Sequence, residues 1–328
     1  MKKDFVKFIL RFLLFIFILL FLVWIINFIY THFVIMKQQY YRQISSYENY
    51  IKKLPAPKKI NYALFGDSHA RNGVNPGIIG SSFNFGTSAE NYIETYYKLK
   101  KVIEIDNVKI ETALFEVDPV TFSSLLTDKT RIFDDLYFFH NFVPFAEVKR
   151  IRGVSTLEML KIYFSEVYFP AIGKGEDFIN IFVTPKLTEV YLGWTKEYED
   201  YTSLDTKLIA LKTYSKQFNN QEIISSISLE YFLKTLDLAK ENNINIVFVK
   251  YPISKEYDEV LVEKGFDKDS YYKEIFGEIE DKLGDNCRVL DYYNLFFDHS
   301  EYFTNPDHLN YRGAEILSEK IKEDLKIK

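Results

Sequence analysis

The chain has 328 residues, a formal charge of −5 from 41 Lys and Arg against 46 Asp and Glu, and one cysteine, Cys287. That length accommodates one large domain behind a segment of another kind. The acidic balance, with no basic recognition cluster, argues against nucleic acid as a partner, and a lone cysteine excludes an internal disulfide.

In chain order, the first feature is an apolar stretch from Phe5 to Tyr30, unbroken between Phe12 and Ile26. It exceeds the roughly 20 residues needed to cross a bilayer core. The residues that follow, Thr31 to Met36, lack the small side chains of a cleavage site, so an uncleaved anchor is expected rather than a secretory signal. Lys2 and Lys3 precede the stretch and Lys7 and Arg11 lie near its start, before the unbroken run, whereas only Lys37 and Arg42 follow closely. That bias predicts a single-pass membrane protein with a cytoplasmic N-terminus and an extracytoplasmic globular part. Residues 1–30 are thus the expected anchor, 31–59 a stalk and linker broken by Pro55-Ala56-Pro57, and 60–328 the globular domain.

From residue 60 the pattern alternates. Strands are expected at Tyr62–Phe65, Ser82–Phe85, Thr112–Val117, Ile244–Lys250 and Arg288–Leu290. Helices are expected at Glu90–Ile105, Leu229–Glu241, Tyr271–Leu283 and Gly313–Leu325. Alternation of this kind predicts an α/β fold with a doubly wound, mainly parallel sheet, whose sites lie beyond the carboxyl ends of the strands. Residues 121–228 break the pattern. Their amphipathic patches and many aromatics, among them Phe133, Tyr137, Phe139, Tyr163, Phe164, Tyr168, Tyr191 and Trp194, predict a largely helical insertion.

Two short segments carry the chemistry. Gly66-Asp67-Ser68-His69 follows the first strand, and Asn305-Pro306-Asp307-His308-Leu309-Asn310 precedes the last helix. A serine hydroxyl is inert as a nucleophile until a base takes its proton, and a late histidine can be that base. His69, His140 and His299 lack the spacing of paired metal ligands, and there is no Walker loop or dinucleotide fingerprint, so neither a metal nor a cofactor is expected.

With these motifs the chain resembles the SGNH/GDSL hydrolase superfamily, over roughly residues 60–118 and 229–325. The resemblance implies that Ser68 is the nucleophile and His308 the base. It implies that the second block, Asn84-Phe85-Gly86, completes an oxyanion hole from Ser68, Gly86 and Asn84. Two departures stand out. Asn305 occupies the position three before the histidine where the family has Asp, with Asp307 adjoining instead. The family's third block is not recognisable, and the corresponding strand end reads Phe115-Glu116-Val117-Asp118-Pro119. Asn305 is expected to orient His308 through its amide oxygen, with Asp307 a further candidate for the catalytic set; Asp67, His69, Asn91, Asp118 and Asn310 are candidates to line the site.

The anchor makes the chain more similar to the membrane-bound extracytoplasmic branches of that superfamily than to its secreted lipases. The implied function is a serine esterase or O-acyltransferase acting on a cell-surface glycan or related polymer. An acylated glycan or acyl donor is the implied substrate and a membrane-bound acyltransferase a candidate partner. The rival is a catalytically degenerate scaffold or glycan-binding protein in polysaccharide assembly.

Overall fold

The computed structural model describes residues 2–37, 39–128, 136–140, 142–173, 189–201, 206–218, 223–284 and 287–327. Phe133, expected in the insertion, lies outside them. The chain forms two compact units, one from Met1–Arg42 with Asp135–Leu187, the other from Gln43–Asp134 with Thr188–Lys328. The expected insertion is thereby divided between them.

The first unit holds α1 (Lys2–Phe33), the start of α2 (Gln39–Lys53) and, from the insertion, α7 (Leu136–Phe139), α8 (Phe145–Arg152), α9 (Thr156–Ile162), a π-turn (Tyr163–Tyr168) and α10 (Pro170–Gly173). Residues Asp4–Phe33 of α1 make a helix long and apolar enough to cross a membrane.

The second unit is built on β1 (Lys59–Phe65), β2 (Ser82–Asn84), β3 (Lys109–Glu116), β6 (Asn245–Lys250) and β7 (Arg288–Asp291). They pair in the order β2-β1-β3-β6-β7, every neighbour parallel. Ala63–Phe65, Ala113–Glu116 and Val247–Val249 are buried without alternation, as central parallel strands covered on both faces must be. Its helices are α3 (Ser68–Gly73), α4 (Pro76–Ile79), α5 (Tyr92–Lys100), α6 (Pro119–Phe122), α11 (Thr206–Gln217), α12 (Ser226–Glu241), α13 (Lys255–Glu263), α14 (Lys268–Leu283) and α15 (Tyr311–Asp324). The chain leaves β1 for β2 on one side and returns to β3 on the other, so the winding reverses between β1 and β3. In open α/β sheets that switch point opens a crevice beyond the strand ends, where ligands bind.

Three local results differ from expectation. The helix expected over Glu90–Ile105 starts at Tyr92, behind a capping box in which Asn91 Oδ1 accepts from Ile93 N and Glu94 N at 3.0 and 3.3 Å, and it widens after Lys100 into a π-turn (Lys101–Ile105). Part of α2 is more than a stalk: Tyr47 packs its ring on Phe83 and Phe85, centroids 5.8 and 5.3 Å away, covering edge strand β2. The insertion also contains an antiparallel hairpin, β4 (Glu189–Tyr191) and β5 (Trp194–Lys196). Its turn holds Leu192 at φ 49° and Gly193 at φ 84°, the paired positive angles of a tight hairpin. The hairpin docks on β2: Asn84 N donates to Leu192 O at 2.9 Å, and a Cβ at Gly193 would overlap Asn84 O.

Candidate active site

The site begins where β1 ends. Gly66 adopts φ +156°, and a Cβ there would collide with the Glu116 carboxylate from the end of β3. Its absence lets Asp67 N donate to Glu116 Oε2 at 2.8 Å, tying the two strand ends together at the switch point. Asp67 then caps α3, accepting from His69 N at 2.7 Å, as a short acidic side chain does for an otherwise unpaired first-turn donor. Ser68 becomes the first residue of that helix.

His308 arrives from the other end of the chain on a small antiparallel pair, β8 (Phe303–Asn305) and β9 (His308–Leu309). Asn305 shapes this corner: its Oδ1 accepts from Asp307 N at 3.2 Å, His308 N at 3.0 Å and His308 Nδ1 at 2.9 Å. The two backbone donors fix which end of the amide faces the ring. The result is that His308 Nε2 stands 2.7 Å from Ser68 Oγ. Facing acceptors with Nδ1 places the ring proton there and leaves Nε2 a lone pair for the serine hydroxyl.

Asp307, named from the sequence as a candidate catalytic residue beside the histidine, is the second group at that ring nitrogen. It is buried, with Oδ1 3.1 Å from His308 Nδ1. Its Oδ2 accepts from Gln217 Nε2, and Gln217 Oε1 in turn accepts from Tyr257 OH. Burial alone would raise this carboxyl; the neighbouring His308 and His69 and the Gln217 hydrogen bond outweigh it and hold the pKa at about 2.

Behind the dyad lies a layer of buried ionisable groups. His69 Nδ1 is 2.8 Å from Asp67 Oδ1 and 3.2 Å from Glu116 Oε1, while its Nε2 is 3.7 Å from Asp307 Oδ2. Burial opposes charge on His69, but Asp67 and Glu116 raise its pKa well above the ordinary imidazole value. For Glu116 burial and the Asp67 charge act together, and its pKa is raised well above the usual range. Asp118, past the end of β3, accepts from Tyr251 N at 3.0 Å and is pushed up to about 7, chiefly by burial. His69, Asp307 and His308, or Asp67, His69 and Glu116, are close enough together to hold a cation. Either set would need His69 to surrender the proton that its carboxylate neighbours favour.

The second block corrects the reading of the oxyanion hole. Asn84 Oδ1 accepts from Gly86 N at 3.0 Å, and Asn84 Nδ2 donates to Ala70 O and Val74 O at 2.7 and 3.0 Å. Both polar groups assigned to the oxyanion are therefore engaged in joining the β2 loop to α3. Glycine is needed at 86 because a Cβ would meet Arg71 N at 2.9 Å and Asp67 O at 3.0 Å. Of the candidate lining residues, Asp67 and His69 lie against the dyad and Asp118 adjoins them. Asn91 and Asn310 instead cap α5 and α15, Asn310 accepting from Arg312 N and Gly313 N at 3.1 Å each. Sequence reasoning missed Glu116, although a carboxylate closing an apolar strand was a visible signal, and it missed Gln217, whose position in the insertion offered none.

No family model matches the chain, and neither does any curated protein. Among solved structures its fold is similar to that of a candidate acylhydrolase from Bacteroides fragilis NCTC 9343, at 9% identity and TM-score 0.41 over 85% of this chain and 94% of that one. It is similar also to a GDSL-like lipase from Bacteroides thetaiotaomicron VPI-5482, at 8% identity and TM-score 0.42 over 86% of this chain and 96% of that one.

Proposed function

We propose that this chain is a serine esterase or O-acyltransferase of the SGNH/GDSL type, anchored in a membrane by α1 and acting outside the cytoplasm on an acylated surface glycan or related polymer. The 2.7 Å approach of His308 Nε2 to Ser68 Oγ carries the reading. His308 takes the hydroxyl proton as the oxygen attacks an ester carbonyl, then returns it to the departing alkoxide, leaving an acyl-serine. Water or a sugar hydroxyl resolves that ester, giving hydrolysis or transfer. The imidazolium formed in each step is balanced by Asp307 and oriented by Asn305. The Ser68 N–H, a first-turn donor, serves the oxyanion. The anchor and its orientation are supported by the apolar length of α1 and the basic residues around its start; the glycan substrate rests on the motif resemblance.

A fluorophosphonate probe tests the chemistry. Wild-type protein should be labelled at Ser68, and both Ser68→Ala and His308→Ala should remain folded but unlabelled. Labelling that survives Ser68→Ala places the nucleophile elsewhere, and a folded wild type that never labels favours the scaffold. Mass spectrometry of surface glycan from cells carrying wild type or Ser68→Ala then identifies the acyl group gained or lost.

A further inference from the structure

In the first unit, the stretch from Leu157 to Ile172 is apolar on two adjoining faces. Met159, Tyr163, Val167 and Ala171 recur every four residues and are buried. Next to them Leu157, Leu160, Phe164, Tyr168 and Ile172 form a second stripe, each 52–66% exposed. An exposed stripe of large apolar side chains on a helix already packed along an adjoining face marks an interaction surface.

Its attachment says what covers it. Between the π-turn and α10 the helical path breaks at Phe169, φ −133° and ψ 60°, which frees backbone groups on either side. Asn27 of α1 takes up both: its Nδ2 donates to Tyr168 O at 3.1 Å, and its Oδ1 accepts from Ala171 N at 3.3 Å. A helix broken at the edge of the hydrocarbon core finds little water for such groups, and a side chain from a neighbouring helix satisfies them instead. Arg11 is the last charged residue before the apolar run, and about 30 Å of helix beyond it, at ~1.5 Å per residue, ends near Thr31. Asn27 therefore lies within about one turn of the outer edge of the core. The nearby Trp24 and Phe28, 56% and 57% exposed on α1, are aromatic residues of the kind that gather at that depth. Lys161, one turn from Leu157, has a stem long enough to carry its ammonium to lipid phosphates.

We infer that residues 157–172 form a second membrane contact, lying in the outer interface beside α1 with Leu157, Leu160, Phe164, Tyr168 and Ile172 among the acyl chains. The occupant is lipid, because the stripe adjoins the part of α1 that itself faces lipid. The inference rests on the anchoring part of the proposed function and not on the acyl chemistry.

The full-length protein with Cys287→Ser, reconstituted into phosphatidylcholine–phosphatidylglycerol vesicles, tests it. Single cysteines at Leu160→Cys, Phe164→Cys and Ile172→Cys carry an environment-sensitive fluorophore; Ile18→Cys in mid-helix and Glu319→Cys on α15 are the references. Lipid nitroxides should quench positions 160, 164 and 172 at least about twofold, more strongly when placed near the headgroup than at the bilayer centre. Position 18 should show the opposite preference, and 319 no quenching. If 18 is quenched while 160, 164 and 172 behave like 319, the second contact is wrong and the anchor stands. Blue-shifted emission without lipid quenching would assign the stripe to a protein partner and overturn the inference, and an unquenched 18 would remove anchor and inference together.

Discussion

The imidazole of His69 lies nearly parallel to that of His308, with ring centroids 5.1 Å apart and planes 17° from coincident. Two histidines so placed have different tasks. His308 reaches the serine, whereas the ring nitrogens of His69 face only carboxylates, Asp307 among them. In the proposed mechanism His69 is a positioning residue: a buried cation among Asp67, Glu116 and Asp307 that lets Asp307 stay ionised beside His308.

Replacing it by His69→Gln leaves those acids facing one another without a cation, and breaking a buried charge arrangement of this kind typically costs about 3–5 kcal/mol. The sign with pH follows from the raised imidazole pKa. The proton-linked stabilisation is complete below the unfolded value of about 6.5 and is lost as pH rises towards the folded value. Chemical unfolding of the detergent-solubilised protein should show the gap between wild type and His69→Gln narrowing from pH 6.5 upward. A gap independent of pH would mean that His69 contributes only packing.

The two acceptors at His308 Nδ1 should separate by mutation. Asp307→Asn keeps the shape but removes the charge and offers the ring an amide; a comparable change in a serine protease triad costs about 10⁴ in turnover through the wrong tautomer. Here Asn305 still fixes the tautomer, so a smaller loss is expected, roughly 10²-fold in fluorophosphonate labelling rate, about 3 kcal/mol of transition-state stabilisation. Asn305→Asp should change the rate by less than about threefold, because the negative charge that it adds is already supplied by Asp307. A large gain from Asn305→Asp with a silent Asp307→Asn would reverse the two roles.

Much of this was legible before the structure. Apolar runs such as Ala63–Phe65 and Val247–Val249 pointed to buried strands, and their alternation with helices to a parallel sheet with Ser68 and Asp118 at strand ends. What escaped depends on competition between partners. Asn84-Phe85-Gly86 has the residue types of an oxyanion loop, yet whether Gly86 N–H points at a substrate or at the Asn84 side chain is decided by loop geometry, and here Asn84 takes it. The β4–β5 hairpin escaped because its strands are three residues long and Leu192 sits at φ 49°, where Asn or Gly is the usual signal. Gln217 reaches Asp307 across 90 residues of chain, and no local pattern encodes that.

The hairpin supplies a test of backbone approach. Gly193 and Gly265 both have positive φ, at 84° and 83°, but a Cβ at Gly193 would overlap Asn84 O whereas nothing lies within 4 Å at Gly265. Gly265→Ala should cost about 1–2 kcal/mol, the ordinary price of a left-handed residue closing a helix. Gly193→Ala should cost more, by a further 1–3 kcal/mol, because the hairpin must also lift from β2. Equal losses in parallel unfolding experiments would mean that the close approach contributes nothing.

Asp118 makes stability fall as pH rises towards neutrality. Its carboxyl is pushed up to about 7 by burial, with the Asp67 charge adding to it against the opposing pull of His69, the Tyr251 N–H and the Tyr272 hydroxyl. In the unfolded chain the same group ionises near its ordinary 3.8. Between those values the folded protein holds a proton that the unfolded chain has released, so stability from this group is complete below about pH 4 and declines by roughly 1.4 kcal/mol per pH unit until about pH 7. From pH 5 to pH 8 the loss is then about 2 × 1.4, or close to 3 kcal/mol, since nothing further is lost once the folded group has ionised. Asp118→Asn cannot titrate and keeps an oxygen for Tyr251 N, which donates to Asp118 Oδ2 at 3.0 Å. Its stability relative to wild type should therefore improve by roughly 2–3 kcal/mol between pH 5 and pH 8. Guanidinium unfolding of the solubilised full-length proteins at the two pH values measures this directly; a constant difference would show that Asp118 is already ionised in the fold at pH 5.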